Sequence, residues 1–243
     1  MHFTSEQQLD DGVLERLFTL GDIPGILWTP PSSPAPAPLI LVGHPGGLNR
    51  MYPRVAGRAR HCVAEGFIAA TIELPGSGNR PPSPDAEQAR ADLRGALAAG
   101  EPVTDDIVDR LVLPLAGQAV TEWQTALDTL LELPEIDGPV GYSGGIISIG
   151  VRLAMVEPRV RAAVLFAGSF VPRVIFQDAR QVTVPVQVLL QWDDENNDRQ
   201  QALDLFDALG STEKTLHANM GGHTGVPAYE GDSANQFFAR HLK

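Results

Sequence analysis

Pro139-Val140-Gly141-Tyr142-Ser143-Gly144-Gly145-Ile146-Ile147-Ser148-Ile149 is the stretch on which the reading of this chain turns. An apolar strand, Pro139 to Tyr142, gives way at the glycines to a helix-like run from Ile146 to Ile149. Gly-x-Ser-x-Gly at a strand-to-helix junction reads as a nucleophile elbow. In that reading Ser143 sits on a strained turn that pushes its hydroxyl out of the sheet. The flanking glycines are needed because side chains there would strike the neighbouring strand and helix. The pentapeptide alone also describes an ordinary Gly-rich turn, and its flanks are what set it apart. Ser148, the close rival, falls inside the following helix, so Ser143 is the candidate nucleophile.

The segments downstream supply partners in a telling order. Val160 to Phe166 is a strand, and Val184 to Trp192 is a nearly continuous apolar run of the kind buried on both faces of a parallel sheet. That run ends in Asp193-Asp194-Glu195. A further strand, Lys214 to Asn219, leads into Met220-Gly221-Gly222-His223-Thr224-Gly225. Serine, acid, histidine is a catalytic-triad order. A serine hydroxyl needs a base to take its proton, and imidazole suits because it titrates near neutrality. His223 is the candidate base, since glycines at 221, 222 and 225 let its loop approach the sheet. The rivals have poorer settings: His217 in a strand, His241 near the end, His61 mid-helix, His2 at a fraying terminus. Asp193, Asp194 and Glu195 compete as the acid that orients it. The tetrahedral intermediate needs N–H donors; Gly144, next after the nucleophile, supplies one. His44-Pro45-Gly46-Gly47 supplies the other, and because Pro45 has no N–H, Gly46 is the expected donor with Gly47 behind it. His44 is read as a brace for that loop.

Upstream, Val13–Leu20 and Ile23–Trp28 flank a Gly-Asp turn and predict an antiparallel hairpin. Pro30 to Pro38 is a loop, Leu39 to Val42 a buried strand, Val55 to Glu65 a helix stopped by Gly66, and Phe67 to Leu74 a strand. Asp85 to Ala99 reads as a helix, Val103 to Leu113 as a second piece ended by Pro114, and Leu115 to Leu133 as a long helix. The alternation predicts one α/β domain over residues 1–243: a mostly parallel, doubly wound, eight-stranded sheet with the antiparallel N-terminal hairpin. Residues 80 to 115 exceed a simple crossover and are read as a small helical excursion capping the strand ends.

Composition narrows the function classes. The formal net charge of −12 argues against nucleic acid or an anionic membrane as partner. No apolar run approaches the roughly 18 residues of a membrane span, and no signal peptide is visible at the start, so a cytoplasmic location is expected. Cys62 is the one cysteine, so no intramolecular disulfide can form.

Taken together, these motifs resemble the α/β-hydrolases, and within them the dienelactone-hydrolase-like and acyl-esterase branch. The resemblance spans about Leu39 to Leu242. Gly43-His44-Pro45-Gly46-Gly47 is similar to the family's His-Gly-Gly-Gly oxyanion loop. Ile72-Glu73-Leu74-Pro75-Gly76-Ser77-Gly78-Asn79-Arg80 is similar to its Asp-x-Pro-Gly-His-Gly-x-Arg turn. Gln191-Trp192-Asp193-Asp194-Glu195 and Gly222-His223-Thr224-Gly225-Val226-Pro227 complete it. The family carries Val-Pro three and four residues after the acid, where this chain has Asn197-Asp198, and counting back from that pair selects Asp194. Pro45 stands where the family often has glycine. The resemblance implies hydrolysis of a small ester, lactone or thioester through an acyl-enzyme, without metal or organic cofactor. The same triad can also serve C–C bond hydrolysis or acyl transfer, or survive on a scaffold that only binds a small molecule. Tyr142, Trp192 and Phe170 are expected to shape an apolar pocket beyond the strand ends.

Overall fold

The computed structural model of the chain describes residues 1–31 and 35–243, so residues 32–34 of the expected Pro30–Pro38 loop lie outside the described ones. The strands are β1 (His2–Gln8), β2 (Leu14–Leu20), β3 (Ile23–Thr29), β4 (Ala37–Gly43), β5 (Ile68–Ile72), β6 (Ile136–Gly144), β7 (Val160–Phe166), β8 (Val186–Gln191) and β9 (Lys214–Asn219). Among the described residues they form one nine-stranded sheet in the order β1-β2-β3-β5-β4-β6-β7-β8-β9. β1, β2 and β3 pair antiparallel, as does β3 with β5, and every pair from β5 across to β9 is parallel. The sheet has one strand more than the eight expected. The addition is β1, whose residues are exposed apart from half-buried Phe3, so it carries no alternating pattern by which to read it. Its register with β2, from His2 opposite Thr19 to Gln8 opposite Leu14, draws His2 into the sheet.

Alternation along the central strands divides the core. Leu39, Leu41, Val140 and Tyr142 face one cluster, built with α3 (Asp105–Leu130), α4 (Ile147–Val156), α5 (Arg173–Ala179) and α6 (Arg199–Ala208). Ile40, Val42, Ala162 and Val164 face the other, built with α1 (Leu48–Ala64) and α7 (Tyr229–Leu242). Helices on both faces of a parallel sheet explain why the strands read as unbroken apolar runs.

Two helices overrun the prolines and boundaries expected of them. α1 begins at Leu48 rather than Val55 and carries Pro53 within it. α3 runs unbroken through Pro114, where the sequence predicts two pieces. A proline deletes one helical N–H bond and crowds the preceding turn. In α3 a stripe of Val108, Val112, Ala116, Ala119, Trp123, Leu127 and Leu130 buries along one face on both sides of the proline, and that packing prevails. The remaining helix, α2 (Pro84–Ala99), ends at Gly100 in the left-handed conformation and packs against α3. Among the described residues no helix is long and apolar enough to cross a membrane.

Candidate active site

The glycines around Ser143 answer to measurable close approaches. A Cβ on Gly141 would lie 2.8 Å from both Ile40 and the Phe238 ring, one from the neighbouring strand and one from α7. A Cβ on Gly145 would lie 2.9 Å from the Tyr142 hydroxyl and 3.0 Å from the backbone of Gly43. The turn itself differs from expectation. Ser143 remains in β6, opposite Val42 and Val164, and the reversal is made by Gly144 and Gly145 at φ 75° and 73°. Glycine adopts that region without the Cβ clash a serine would meet, so the strain expected at Ser143 is taken up by its successors. Ser143 is 9% exposed, and its hydroxyl has no hydrogen-bond partner among the described residues. Gly145→Ala is expected to cost about 1–3 kcal/mol through combined backbone strain and overpacking, read as a shift in urea midpoint.

The acid and histidine loops meet beyond β8 and β9. His223 Nδ1 lies 2.6 Å from Asp194 Oδ2, and the Asp194 side chain is almost wholly enclosed while the His223 side chain is 48% exposed. The other oxygen of Asp194 accepts the N–H of Asn196 at 3.0 Å, which fixes the carboxylate. The His223 ring stands edge-on to Phe166 at 5.5 Å, over the end of β7, the strand next to the one that carries Ser143. Asp193 turns the other way. Its Oδ1 accepts the N–H groups of Gly221 and Gly222 at 2.8 and 2.9 Å, and these bonds, Gly222 first, hold its carboxyl below the usual range. Gln191 adds a bond from Nε2 to the Gly222 carbonyl at 2.9 Å. Asp193 therefore ties down the loop that presents His223, a role the sequence reading did not give it. Asp193→Ala should loosen that loop and lower kcat about tenfold, whereas Asp193→Asn keeps an acceptor oxygen and should be nearly silent; steady-state kinetics of the two variants check this.

The loop after β4 is held from several sides. His44 is buried, its ring nitrogens directed at the carbonyls of Ile72 (2.9 Å) and Gly46, and burial pulls its pKa down. The Glu73 carboxylate accepts the N–H of Leu48 at 2.9 Å and of Leu74 at 3.1 Å, placing negative charge at the start of α1. Gly78, at φ 61°, lets that carboxylate pass, since a Cβ there would sit 2.4 Å from it. Arg80 donates to the Glu73 carbonyl and pairs bidentately with Glu122 at 2.6 and 2.7 Å. Within this frame the N–H groups of Gly46 and Gly47 have no partner among the described residues. The sequence motif pointed to the 72–80 turn but gave no role to Glu73.

The expected pocket residues separate. Tyr142 is 1% exposed and packs edge-on against Trp123 at 6.4 Å beneath the sheet, so it does not face the strand ends. Strand alternation explains this, because it puts Tyr142 and Ser143 on opposite faces. Trp192 is exposed beside the acid loop, with the Arg199 guanidinium 4.4 Å over its ring. A cleft of about 540 Å³ lies there, lined by Trp192, the acid loop and the start of α6, and it excludes both Ser143 and His223. Phe170 is half-buried after β7 and is the one non-glycine residue at positive φ among those described. Its neighbour Ser169 donates to the Asn196 carbonyl, which joins this loop to the acid loop.

The sheet, with antiparallel β3 beside β5 and parallel pairing from β5 to β9, matches solved structures along nearly the whole chain. A cold-adapted esterase from an Arctic intertidal metagenomic library, bound to PEG, is 28% identical, with 100% of both chains covered and a TM-score of 0.78. The chain has the α/β-hydrolase fold. At lower identity the fold alone is shared. An acetyl xylan esterase from Paenibacillus sp. R4 is 14% identical over 99% of this chain and 88% of that one, with a TM-score of 0.67. A dienelactone hydrolase from Anabaena variabilis is 18% identical over 98% and 99%, with a TM-score of 0.62. No protein-family model and no curated protein matches the sequence. In this α/β-hydrolase fold Ser143 lies near the end of β6, the His44–Gly47 loop follows β4, and the joined Asp194 and His223 loops follow β8 and β9, with no hydrogen bond between Ser143 and His223 among the described residues.

Proposed function

We propose that the chain is a cytoplasmic serine hydrolase that cleaves a small carboxylic ester, lactone or thioester through an acyl-enzyme. The observation that carries this is the His223–Asp194 contact of 2.6 Å through Nδ1. A carboxylate on Nδ1 makes that nitrogen the donor and leaves Nε2 as the base, on a ring half open to solvent at the strand ends. Ser143 Oγ attacks the substrate carbonyl as His223 Nε2 takes its proton. The imidazolium then returns that proton to the departing alcohol or thiol, leaving the acyl group on Ser143. Water, deprotonated by the same nitrogen, attacks the acyl-enzyme, and that proton passes to the departing Ser143 Oγ as the acid is released. The oxyanion is held by the N–H groups of Gly144 and Gly46. Trp192 and Phe170 border the substrate.

The start of α3 is the cap in this reading. Asp105, its first residue, pairs with Arg173, the first residue of α5, at 2.8 Å, and α5 follows the carboxyl end of β7. That ion pair supports the reading in which residues 80–115, α2 with the start of α3, form a small cap over the strand ends. Hydrolysis of p-nitrophenyl acetate, together with stoichiometric labelling by a fluorophosphonate, tests the function. A well-folded protein that shows neither is not a serine hydrolase.

A further inference from the structure

Arg58, on α1, reaches the elbow from the sheet face opposite α3. Its Nη1 donates to the carbonyl of Ser143 at 3.2 Å and its Nη2 to the carbonyl of Gly43. No carboxylate pairs with it among the described residues, and burial lowers its pKa. The guanidinium fills the space a side chain at the next position would need, since a Cβ on Gly144 would lie 2.1 Å from Nη1. Arg58 is half-buried, and a cation partly screened from water with no carboxylate partner carries a desolvation cost. A stem packed for stability alone would be served by an apolar residue. The five donors of a guanidinium in a rigid fork are suited to holding two carbonyls at a set spacing.

Those two carbonyls lie at or next to the ends of the two strands that matter. Gly43 ends β4 and its peptide leads into His44-Pro45-Gly46-Gly47. The Ser143 carbonyl belongs to the peptide that leads into Gly144. We propose that Arg58 is a positioning residue that fixes the nucleophile strand end against the oxyanion loop by clamping the Gly43 and Ser143 carbonyls with one guanidinium. This rests on the reading of Ser143 as nucleophile. Arg58 touches no reacting atom and acts through the spacing it imposes. Losing it should leave substrate binding nearly intact and weaken the transition state, where a misplacement on the order of 1 Å costs about 10²-fold.

The test compares wild type with Arg58→Met, Arg58→Gln and Arg58→Lys, each normalised by the folded fraction from circular dichroism. Kinetics on p-nitrophenyl acetate and the rate of fluorophosphonate labelling are both read, because both need the oxyanion site. The expected result for Arg58→Met is a kcat lower by about 10²-fold, KM within threefold, and labelling slowed in parallel. Arg58→Lys keeps the charge but replaces the rigid two-armed fork by a single flexible nitrogen that cannot fix the spacing of the two carbonyls, so it should also be impaired. If Arg58→Met does not fold, the Lys and Gln variants carry the same comparison. Folded variants labelled and turning over at the wild-type rate overturn the clamp and leave the serine-hydrolase reading standing. A Lys variant at full activity also overturns it, since charge alone would then suffice. Wild-type protein that is neither labelled nor active overturns both.

Discussion

Ser143→Ala is expected to lower kcat by about four to six orders of magnitude with no loss of folded structure. The size follows from the chemistry: without the hydroxyl no acyl-enzyme forms, and only binding and the oxyanion donors remain to assist water. The intact fold follows from the structure. The Ser143 hydroxyl has no hydrogen-bond partner among the described residues, so its removal strands no buried group. Alanine also fits the strand position, because the positive φ angles fall on Gly144 and Gly145 and not on residue 143. The melting temperature should therefore move by a few degrees at most, while fluorophosphonate labelling disappears. Labelling that persists in the alanine variant would remove Ser143 from the mechanism. Ser148, 1% exposed within α4, would need the helix to open before it could react in its place.

Each element is legible in the sequence to the extent that its residues carry a signal of their own. β7 and β9 are legible at their observed bounds because each is a compact run between turn residues. β1 escaped because a polar edge strand has neither alternation nor an apolar run, and only its pairing with β2 defines it. Pro114 misled because a local preference of about 3 kcal/mol or more is outweighed when buried residues continue in phase on both sides. The site divides the same way. Ser143 and His223 were marked by glycines and by order along the chain. Arg58 and Glu73 could not be marked, since each acts through backbone atoms distant in sequence: Arg58 through Gly43 and Ser143, Glu73 through Leu48. A charged residue on a helix looks like a solvated one until the fold shows which carbonyls it meets. Tyr142 is the converse case, an aromatic beside the nucleophile that alternation sends into the core.

Asp194→Asn is expected to lower kcat by about 10⁴-fold. Asp194 Oδ2 is 2.6 Å from His223 Nδ1, and an ionised acceptor at that distance makes a charge-assisted bond. The carboxylate does two things there: it keeps the proton on Nδ1, so that Nε2 is free to act as base, and it stabilises the imidazolium formed during attack. An asparagine in the same place can present its N–H₂ to the ring, which stabilises the opposite tautomer and puts the proton on Nε2, where no base is then available. The loop geometry should survive, because the asparagine oxygen can still accept the Asn196 N–H now bonded to Asp194 Oδ1. Loss of rate without loss of stability is thus the signature. Asp193→Asn provides the internal control, since Asp193 bonds to Gly221 and Gly222 and not to the ring. The kinetics of the two variants, measured side by side with ¹H NMR of the imidazole N–H protons, decide the matter. A downfield Nδ1 proton lost only in Asp194→Asn supports the assignment; a crippled Asp193→Asn beside an active Asp194→Asn moves the catalytic acid to Asp193.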